Sequence, residues 1–517
     1  MKDISLIFIA FITFHTSLAQ ICTGAVSSDW NNSANWTTLP TNGSDVTIDP
    51  INYTGGALSP IISTNSTFSV GAMDLLNGAV LTINANLTTL DDVNVLDPNS
   101  EIIVNQGNFD VNLDNGGRCI ADFGGKITVN GGSVNVGERL ISGADAQIII
   151  NNGNVTTNER FLMDLGGQII INDGNVVVGQ VMALADGDVN GSSYFEQNGG
   201  VITITGEVAL ENEAGNFQPT IMINAGTFNL NGDLVWFGAV PGTGTPHFIT
   251  TGGIVNIDGN ISNLVGSTVN MLFDISGSSI VNFNGISIDL ISPTDSIKQS
   301  GNSEFNLAGT HNWNNEGVFY ATDGIVLCDG TTNLLGTGIY QFNHLSVATA
   351  KTLNHTSPFE IFIGGNFAKL GSFNPANNKV TFDGNTSQII SGTASLNFAS
   401  LEINNSTGVT LNHPVFVDNT LTLTNGLFHT SSTNLLTLTA NASATAGSNM
   451  SFVNGPMKKI GNTAFVFPIG KNNNWRRLGI SAPSNITSEL TAEYFENSAP
   501  NTAVFNSPLS AVSSLEY

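Results

Sequence analysis

Three short stretches with nearly the same sequence decide the fold: residues 126–134 read KITVNGGSV, residues 147–155 read QIIINNGNV, and residues 168–176 read QIIINDGNV. An arginine precedes each stretch, and Arg118, Arg139 and Arg160 are 21 residues apart (139 − 118 = 160 − 139 = 21). A fixed period of this length is typical of a solenoid. The segments between the glycines are short, β-branched and without helical periodicity. Each repeat therefore predicts one coil of a parallel β-helix, with strands stacked about 4.8 Å apart.

Equivalent positions in the three repeats are expected to stack in columns. The isoleucine and valine columns form the core, because no single coil can bury its apolar face alone. The asparagine column lies at a corner, where each amide can bond to the amide of the next coil. The glycine column lies where the chain turns with positive φ. These columns are Ile127, Ile148 and Ile169; Val134, Val155 and Val176; Asn130, Asn151 and Asn172; and Gly132, Gly153 and Gly174.

Composition and charge narrow the class of protein. Only 10% of the 517 residues are charged and 56 are glycine, which suits stacked strands with tight corners and disfavours long helices. The formal charge is −26, with 14 basic and 40 acidic residues. An acidic surface of this kind argues against binding to nucleic acid or to an anionic membrane. It is compatible with solubility outside a cell and with divalent cations.

The first nineteen residues have the form of a secretory signal. Lys2 supplies the positive end, residues 4–14 form the apolar run, and Ser17 and Ala19 are small residues at the −3 and −1 positions. The sequence therefore predicts a mature chain that begins at Gln20. The alternative is an uncleaved anchor, but the apolar run is short for a bilayer. No later segment is predicted to insert into a membrane.

The three cysteines, Cys22, Cys119 and Cys328, are too few and too scattered for a disulfide framework or a zinc site. Cys119 and Cys328 are expected to be small apolar residues of the core.

The spacing of glycines and strands divides the chain. Residues 1–19 are the signal, 20–60 an N-terminal capping segment, and 61–342 a β-helix with coils of 21–29 residues. Residues 343–446 form a second solenoid block with shorter strands, and 447–517 an incomplete C-terminal β domain. Trp30 and Trp36 most simply cover the open first coil, whose bare strand edge would otherwise pair with other chains. The alternative is a pair that stacks on sugars.

Several motifs resemble those of a known class of proteins. The spacing of Trp30, Asn35 and Trp36 is similar to the opening of large secreted repeat proteins of the Bacteroidota. Residues 380–438 resemble a repeat of the same proteins, and the succession NGP (454–456), FPIG (467–470) and RR (476–477) is the most specific match. The resemblance implies an adhesin-like surface protein associated with type IX secretion. In that class further strands and a sorting domain follow, so the resemblance also implies a C-terminal truncation.

These observations predict an all-β protein: a right-handed parallel β-helix (β-solenoid) followed by a partial small β-sandwich-like segment.

The arginine column is the first candidate for chemistry. If Arg118, Arg139 and Arg160 face outward, their stacked charges need counter-charges. Asp122 and Asp164, or Glu138 and Glu159, are the candidates. The functional interpretation is a groove for an anionic glycan, as in a polysaccharide lyase. The structural interpretation is a salt-bridged ladder, which is favoured because no lysine or histidine joins the column as a base.

The second candidate is the acidic loop Asp186–Asn190. It places oxygen ligands at alternate positions with Gly187 and Gly191 for turns, as calcium loops do. Glu196, however, falls one place short of the EF-hand spacing and no helices flank the loop, so a plain corner loop is favoured.

The sequence therefore predicts no catalytic, cofactor-binding or metal-binding residues. Its first hypothesis is an extracellular or cell-surface structural, adhesin-like protein without catalytic activity. The expected partners are extracellular glycans or other surface proteins. The alternatives are a β-helix carbohydrate-active enzyme, either a lyase or a glycosidase, and a calcium-dependent glycan-binding protein.

Overall fold

The computed structural model describes residues 19–54, 58–63, 67–184, 192–212, 218–238, 244–264, 266–267, 269–356 and 358–496. In these residues the regular structure is β-strand, apart from two single turns of 3₁₀-helix, Ser33–Asn35 and Pro50–Asn52. No helix in the described ranges is long and apolar enough to cross a bilayer. The chain divides into two units, Met1–Asn158 and Glu159–Tyr517, and each is described by itself.

The N-terminal unit is a parallel solenoid whose strands stack in three rows. Row A contains Ile61–Ile62, Val80–Ile83, Glu101–Val104, Lys126–Val129 and Gln147–Ile150; row B contains Thr67–Val70, Asn86–Thr89, Asn108–Val111, Ser133–Val136 and Asn154–Thr157; and row C contains Gln20–Cys22, Val46–Ile48, Met73–Leu75, Val93–Leu96, Cys119–Asp122 and Arg139–Ser142. Every pairing within these rows is parallel, and the chain visits rows A, B and C in turn.

The predicted core columns of this unit are confirmed. Ile127 pairs with Ile148 in row A, and Val134 pairs with Val155 in row B. All four side chains are at most 1% exposed, and Cys119 is fully buried in row C. Alternate side chains point inward because successive residues of a strand face opposite sides, so each coil contributes two inward residues per row to the shared core.

The two tryptophans that were predicted to cover the first coil are buried, which contradicts the alternative that they stack on sugars. Trp30 and Trp36 are 1% and 5% exposed, with ring centroids 4.7 Å apart in an edge-to-face arrangement. The Nε1 atom of Trp36 donates to the carbonyl of Trp30, and Trp30 packs against Phe68. The buried Asn35 amide accepts from the backbone N–H groups of residues 26 and 27. Neither ring face is available to a sugar.

The C-terminal unit is a second set of parallel rows, and four long strands pass through a corner and join two rows. The long strands Glu304–Asn315 and Ile325–Gly336 join rows B and C, and Leu396–Asn404 and Val415–Asn425 join rows C and A.

The shorter strands each belong to one row. Row A contains Gln168–Ile171, Tyr194–Gln197, Thr220–Ile223, His247–Thr250, Leu272–Ile275, Ser296–Gln299, Val318–Ala321, Ile339–Phe342, Ile361–Ile363, Lys379–Phe382 and Ser443–Ala444. Row B contains Asn175–Val178, Val201–Ile204, Thr227–Leu230, Ile254–Ile257, Ile280–Phe283, His344–Val347, Phe367–Lys369, Gln388–Gly392, Val409–Leu411, Phe428–His429, Val453–Asn454 and Ile469–Lys471. Row C contains Arg160–Met163, Val181–Leu184, Val208–Glu211, Leu234–Phe237, Ile261–Asn263, Ser287–Leu290, Thr352–His355, Ser372–Asn374, Leu436–Leu438 and Met457–Ile460.

Aromatic side chains fill much of the core of this unit. Phe195, Phe228, Phe248 and Phe273 pack edge to face in succession, with ring centroids 6.3, 5.6 and 5.0 Å apart. Edge-to-face contacts suit the ring quadrupoles and add to the free energy of burial. Cys328 lies in the same core and is 1% exposed, as predicted from the sequence.

The solenoid of the C-terminal unit ends in antiparallel strands. Glu489–Ala492 pairs antiparallel with Met457–Ile460, and Phe465–Phe467 pairs with Leu478–Ile480. Asn474–Trp475 forms a hairpin with Ile469–Lys471. The predicted fold, an all-β parallel solenoid with a trailing sheet segment, is therefore confirmed.

Candidate functional site

A polar groove crosses three coils of the N-terminal unit at the corner between rows A and B. We call it the glycine groove. It is open to solvent and is lined by Gly107, Asn108, Gly131, Gly132, Ser133, Asn152, Gly153 and Asn154.

Close stacking of the coils explains the glycines of the floor. Gly107, Gly132 and Gly153 have φ values of 81°, 72° and 102°, as the sequence predicted for the latter two. A Cβ atom on Gly132 would lie 2.4 Å from the carbonyl oxygen of Gly107, and one on Gly153 would lie 2.6 Å from that of Gly132. Only glycine combines this conformation with this close approach. Gly174, in the C-terminal unit, has a φ of 100°.

A ladder of asparagine amides runs beside the floor along the end of row A. Asn105 donates to Asn84, Asn130 to Asn105, and Asn151 to Asn130, with N–O distances of 3.0, 2.9 and 2.8 Å. The predicted amide ladder is therefore confirmed in this unit. Asn172, the third predicted member, lies in the C-terminal unit, where its side chain accepts from Asn198 at 3.2 Å. The ladder uses one donor and one acceptor of each inner amide to hold the coils in register.

The lining of the groove itself includes polar side chains of a different kind. Asn108, Ser133 and Asn154 begin three adjacent strands of row B and are aligned by their register. Their side chains have no hydrogen-bond partner among the described residues, and we call them the free column. The sequence carries one signal for this column, because the position after the glycine is polar in all three repeats, at Ser133, Asn154 and Asn175.

The lining of the glycine groove is electrically neutral, since it contains only glycine, asparagine and serine. Amides and hydroxyls donate and accept hydrogen bonds at neutral pH without ionising. Such a surface can bind uncharged polar ligands, but its side chains offer neither a general acid nor a general base.

Arg118 and Arg139 are held by ion pairs, one with a partner that the sequence analysis did not name and one with a candidate partner. Arg118 contacts Asp92 through its Nε atom at 3.0 Å, and this bond, ahead of the opposing effect of burial, raises the pKa of Arg118. Arg139 contacts Glu138 at 2.8 Å. Glu138 was one of the candidate counter-charges, and Asp122 belonged to the alternative pair. Its carboxylate instead accepts from the backbone N–H groups of Phe123 and Ala144.

The third arginine lies in the C-terminal unit. Arg160 begins a row C strand and is aligned with Val181. Asp164 accepts from the backbone N–H of Leu165 at 2.9 Å, so this carboxylate serves at least partly to hold a turn.

The candidate calcium loop Asp186–Asn190 lies outside the described residues, so calcium binding there stays a prediction. Glu196 is described, and its side chain accepts from the Asn224 amide at 2.9 Å within row A. In the described ranges, no group of three or more histidine, cysteine, aspartate or glutamate side chains is placed to hold a metal ion.

A cluster that no sequence motif indicates lies on row A of the C-terminal unit. The Nζ atom of Lys379 contacts Glu360 at 2.9 Å and Glu402 at 2.8 Å, which brings two carboxylates together. Burial disfavours the ionised form of Glu402, but the bonds from Lys379 and Thr424 outweigh it and lower the pKa. The three residues are 19 and 23 positions apart, and no motif links them in the sequence.

Two histidines of the C-terminal unit lie inside the core. His311 is 1% exposed and contacts Thr332, and His355 is fully buried and contacts the carbonyl of Phe359. Burial lowers the pKa of each to about 4, and both are therefore neutral at pH 7. Neither imidazole reaches a surface where a substrate could meet it.

The fold and the groove define a parallel β-solenoid with an uncharged polar groove on its N-terminal unit. No protein-family model, no curated protein and no solved structure matches the chain. The arguments that follow therefore rest on the residues themselves.

Proposed function

We propose that the protein is an extracellular, non-catalytic β-solenoid with a structural or adhesive role at a cell surface. The observation that carries the proposal is the glycine groove, because its lining offers hydrogen bonds without any ionisable group. A surface of this kind suits binding, whereas hydrolases and lyases need acids or bases with suitable pKa values at the reacting bond. The solenoid fold alone does not decide between the two classes.

The placement of ionisable groups supports the same proposal. Asp92 and Glu138 are engaged by arginines, and the two core histidines are out of reach of solvent. The carboxylates of Glu360 and Glu402 share one lysine, and the lowered pKa of Glu402 is opposite to what a general acid requires.

The extracellular location rests on the predicted signal and on the resemblance to Bacteroidota surface proteins. Export by the type IX route is part of the proposal and rests on that resemblance alone. Expression of the full chain in a bacterium of that phylum, followed by N-terminal sequencing of surface protein, tests the location. We expect the mature chain to begin at Gln20, and a chain that retains Met1 and stays in the cytoplasm would contradict the proposal.

A screen for turnover tests the absence of catalysis. Purified protein is incubated with neutral and uronate polysaccharides, with and without calcium, and the release of reducing or unsaturated ends is measured. We expect none. Release of unsaturated ends that disappears in Arg139→Ala would favour a lyase. Release of reducing ends that disappears in Glu402→Gln would favour a glycosidase centred on the Glu360 and Glu402 pair, the arrangement closest to the two carboxylates of such enzymes.

A further inference from the structure

We infer that the glycine groove binds a neutral, extended polysaccharide that lies along the stacking direction of the coils. The side chains of the free column are its hydrogen-bonding partners. The inference rests on the proposed adhesive function and assigns it a site and a class of ligand.

The asparagine ladder beside the groove and the free column that lines it differ in how far their hydrogen-bonding groups are already used. Asn130 donates to one neighbour and accepts from another, so its amide is largely committed to the ladder. Asn108 and Asn154 form no side-chain hydrogen bond with any described residue, although they flank the same floor. A structural ladder would bond from coil to coil, as the asparagine ladder does. The free column therefore presents donors and acceptors to a ligand in the groove.

The chemistry of the lining selects the ligand. A groove without cations does not compensate the charge of a uronate or sulfated chain, and the net charge of −26 repels such chains. Peptide ligands are usually held by apolar or aromatic side chains of the binding site. The lining of the groove contains none, since it consists of glycine, asparagine and serine. Uncharged hydroxyl groups are the remaining match for amide and hydroxyl side chains.

The register of the strands sets the repeat of the ligand. Asn108, Ser133 and Asn154 are opposite one another in row B, so they recur once per coil, at a step of about 4.8 Å. A polymer that presents a hydroxyl group at a comparable step meets one polar side chain on each coil.

The test uses the full chain, isothermal titration calorimetry and three hexasaccharides: cellohexaose and chitohexaose as neutral probes and hexagalacturonate as a charged probe. We expect at least one neutral probe to bind, and hexagalacturonate to bind at least about tenfold more weakly. The double variant Asn108→Ala/Asn154→Ala should lose about tenfold in affinity, since it removes two hydrogen-bonding side chains.

The matched control is Thr88→Ala/Thr156→Ala. Both threonines face outward on row B strands, two positions after Asn86 and Asn154, and they do not line the groove. This control should keep the wild-type affinity, and both double variants should keep the wild-type melting temperature.

The outcomes separate the inference from the proposed function. Equal loss in both double variants, no loss in either, or no binding of any neutral probe would overturn the inference. None of these results touches the adhesive role, which attachment of the protein to whole cells tests separately. Cleavage of a probe would instead overturn the proposed function.

Discussion

The side-chain amide of Asn151 donates a hydrogen bond of 2.8 Å to the side-chain oxygen of Asn130, its counterpart one coil earlier. Asn130 in turn donates to Asn105 at 2.9 Å. The bonds run in the same direction along the ladder, so each inner amide is satisfied by the coil on either side. A ladder of this kind stabilises one stacking register, because a slip by one residue would break it at every coil.

Replacing Asn130 by alanine should therefore destabilise the protein, whereas Asn154→Ala should not. Asn130→Ala removes two inter-coil hydrogen bonds, and we expect the free energy of unfolding to fall by about 1–2 kcal/mol. Asn154 lines the glycine groove and forms no side-chain hydrogen bond with a described residue, so its variant is the control. Urea denaturation followed by circular dichroism measures both. Equal stability of the two variants would contradict a stabilising role for the ladder.

The part of the fold that could be predicted is the part where the period is strict. Between Arg118 and Arg160 the repeats have the same length, so equivalent residues of successive repeats stack on one another. The columns could therefore be assigned from the sequence alone. The partner of Arg118 could not, because Asp92 is 26 residues earlier, in a coil of different length. A strand pairing gives the register, but the reach of a side chain at a corner depends on the intervening loop.

The candidate site shows the same limit. The repeats show a polar residue at the position of the free column. They do not show that its side chains lack hydrogen-bond partners among the described residues, whereas the asparagines three residues earlier are hydrogen-bonded. That difference depends on which way each amide points from its corner. The cluster around Lys379 was invisible for another reason, since its members come from three coils without a common period.

The core columns predict a strong effect at Ile148. Ile148→Asp would place a carboxylate in a column where the native side chain is 1% exposed, and the free energy of unfolding should fall by several kcal/mol, on the order of 3–5. The matched control is Ile149→Asp, on the same strand but facing outward. Thermal melting of both variants distinguishes the two faces. A wild-type melting temperature for Ile148→Asp would contradict the assigned register.

Stability should decline as the pH falls below about 6.5. Burial lowers the pKa of His311 and His355 to about 4, so the unfolded chain, with ordinary values near 6.5, takes up protons first. The contribution of the neutral histidines to the free energy of unfolding is complete above pH 6.5 and is lost as the pH falls toward 4. Between pH 7 and pH 5, the free energy of unfolding should fall by about 1–2 kcal/mol for each histidine.

A series of urea denaturations from pH 7.5 to pH 5 measures this dependence. His311→Gln/His355→Gln should show a shallower decline over the same range, although His247 and His429, whose pKa values burial also lowers, leave a residual slope. An identical slope in the wild-type and the double variant would rule out the two core histidines as its source.

The glycine floor allows conformational strain to be separated from steric contact. Gly132 has a φ of 72°, and a Cβ atom there would meet the carbonyl oxygen of Gly107 at 2.4 Å. Gly266 has a similar φ of 89°, but nothing lies within 4 Å of a Cβ atom built on it. In Gly266→Ala the free energy of unfolding should therefore fall only by the strain of the positive φ, about 1–2 kcal/mol.

Gly132→Ala should suffer the same strain and should also force adjacent coils apart, which would remove hydrogen bonds and packing on both sides. We expect its free energy of unfolding to fall by at least about 1 kcal/mol more than that of Gly266→Ala in urea denaturation. Equal losses would mean that the glycine column is required only for its backbone conformation and that the coils can separate without cost.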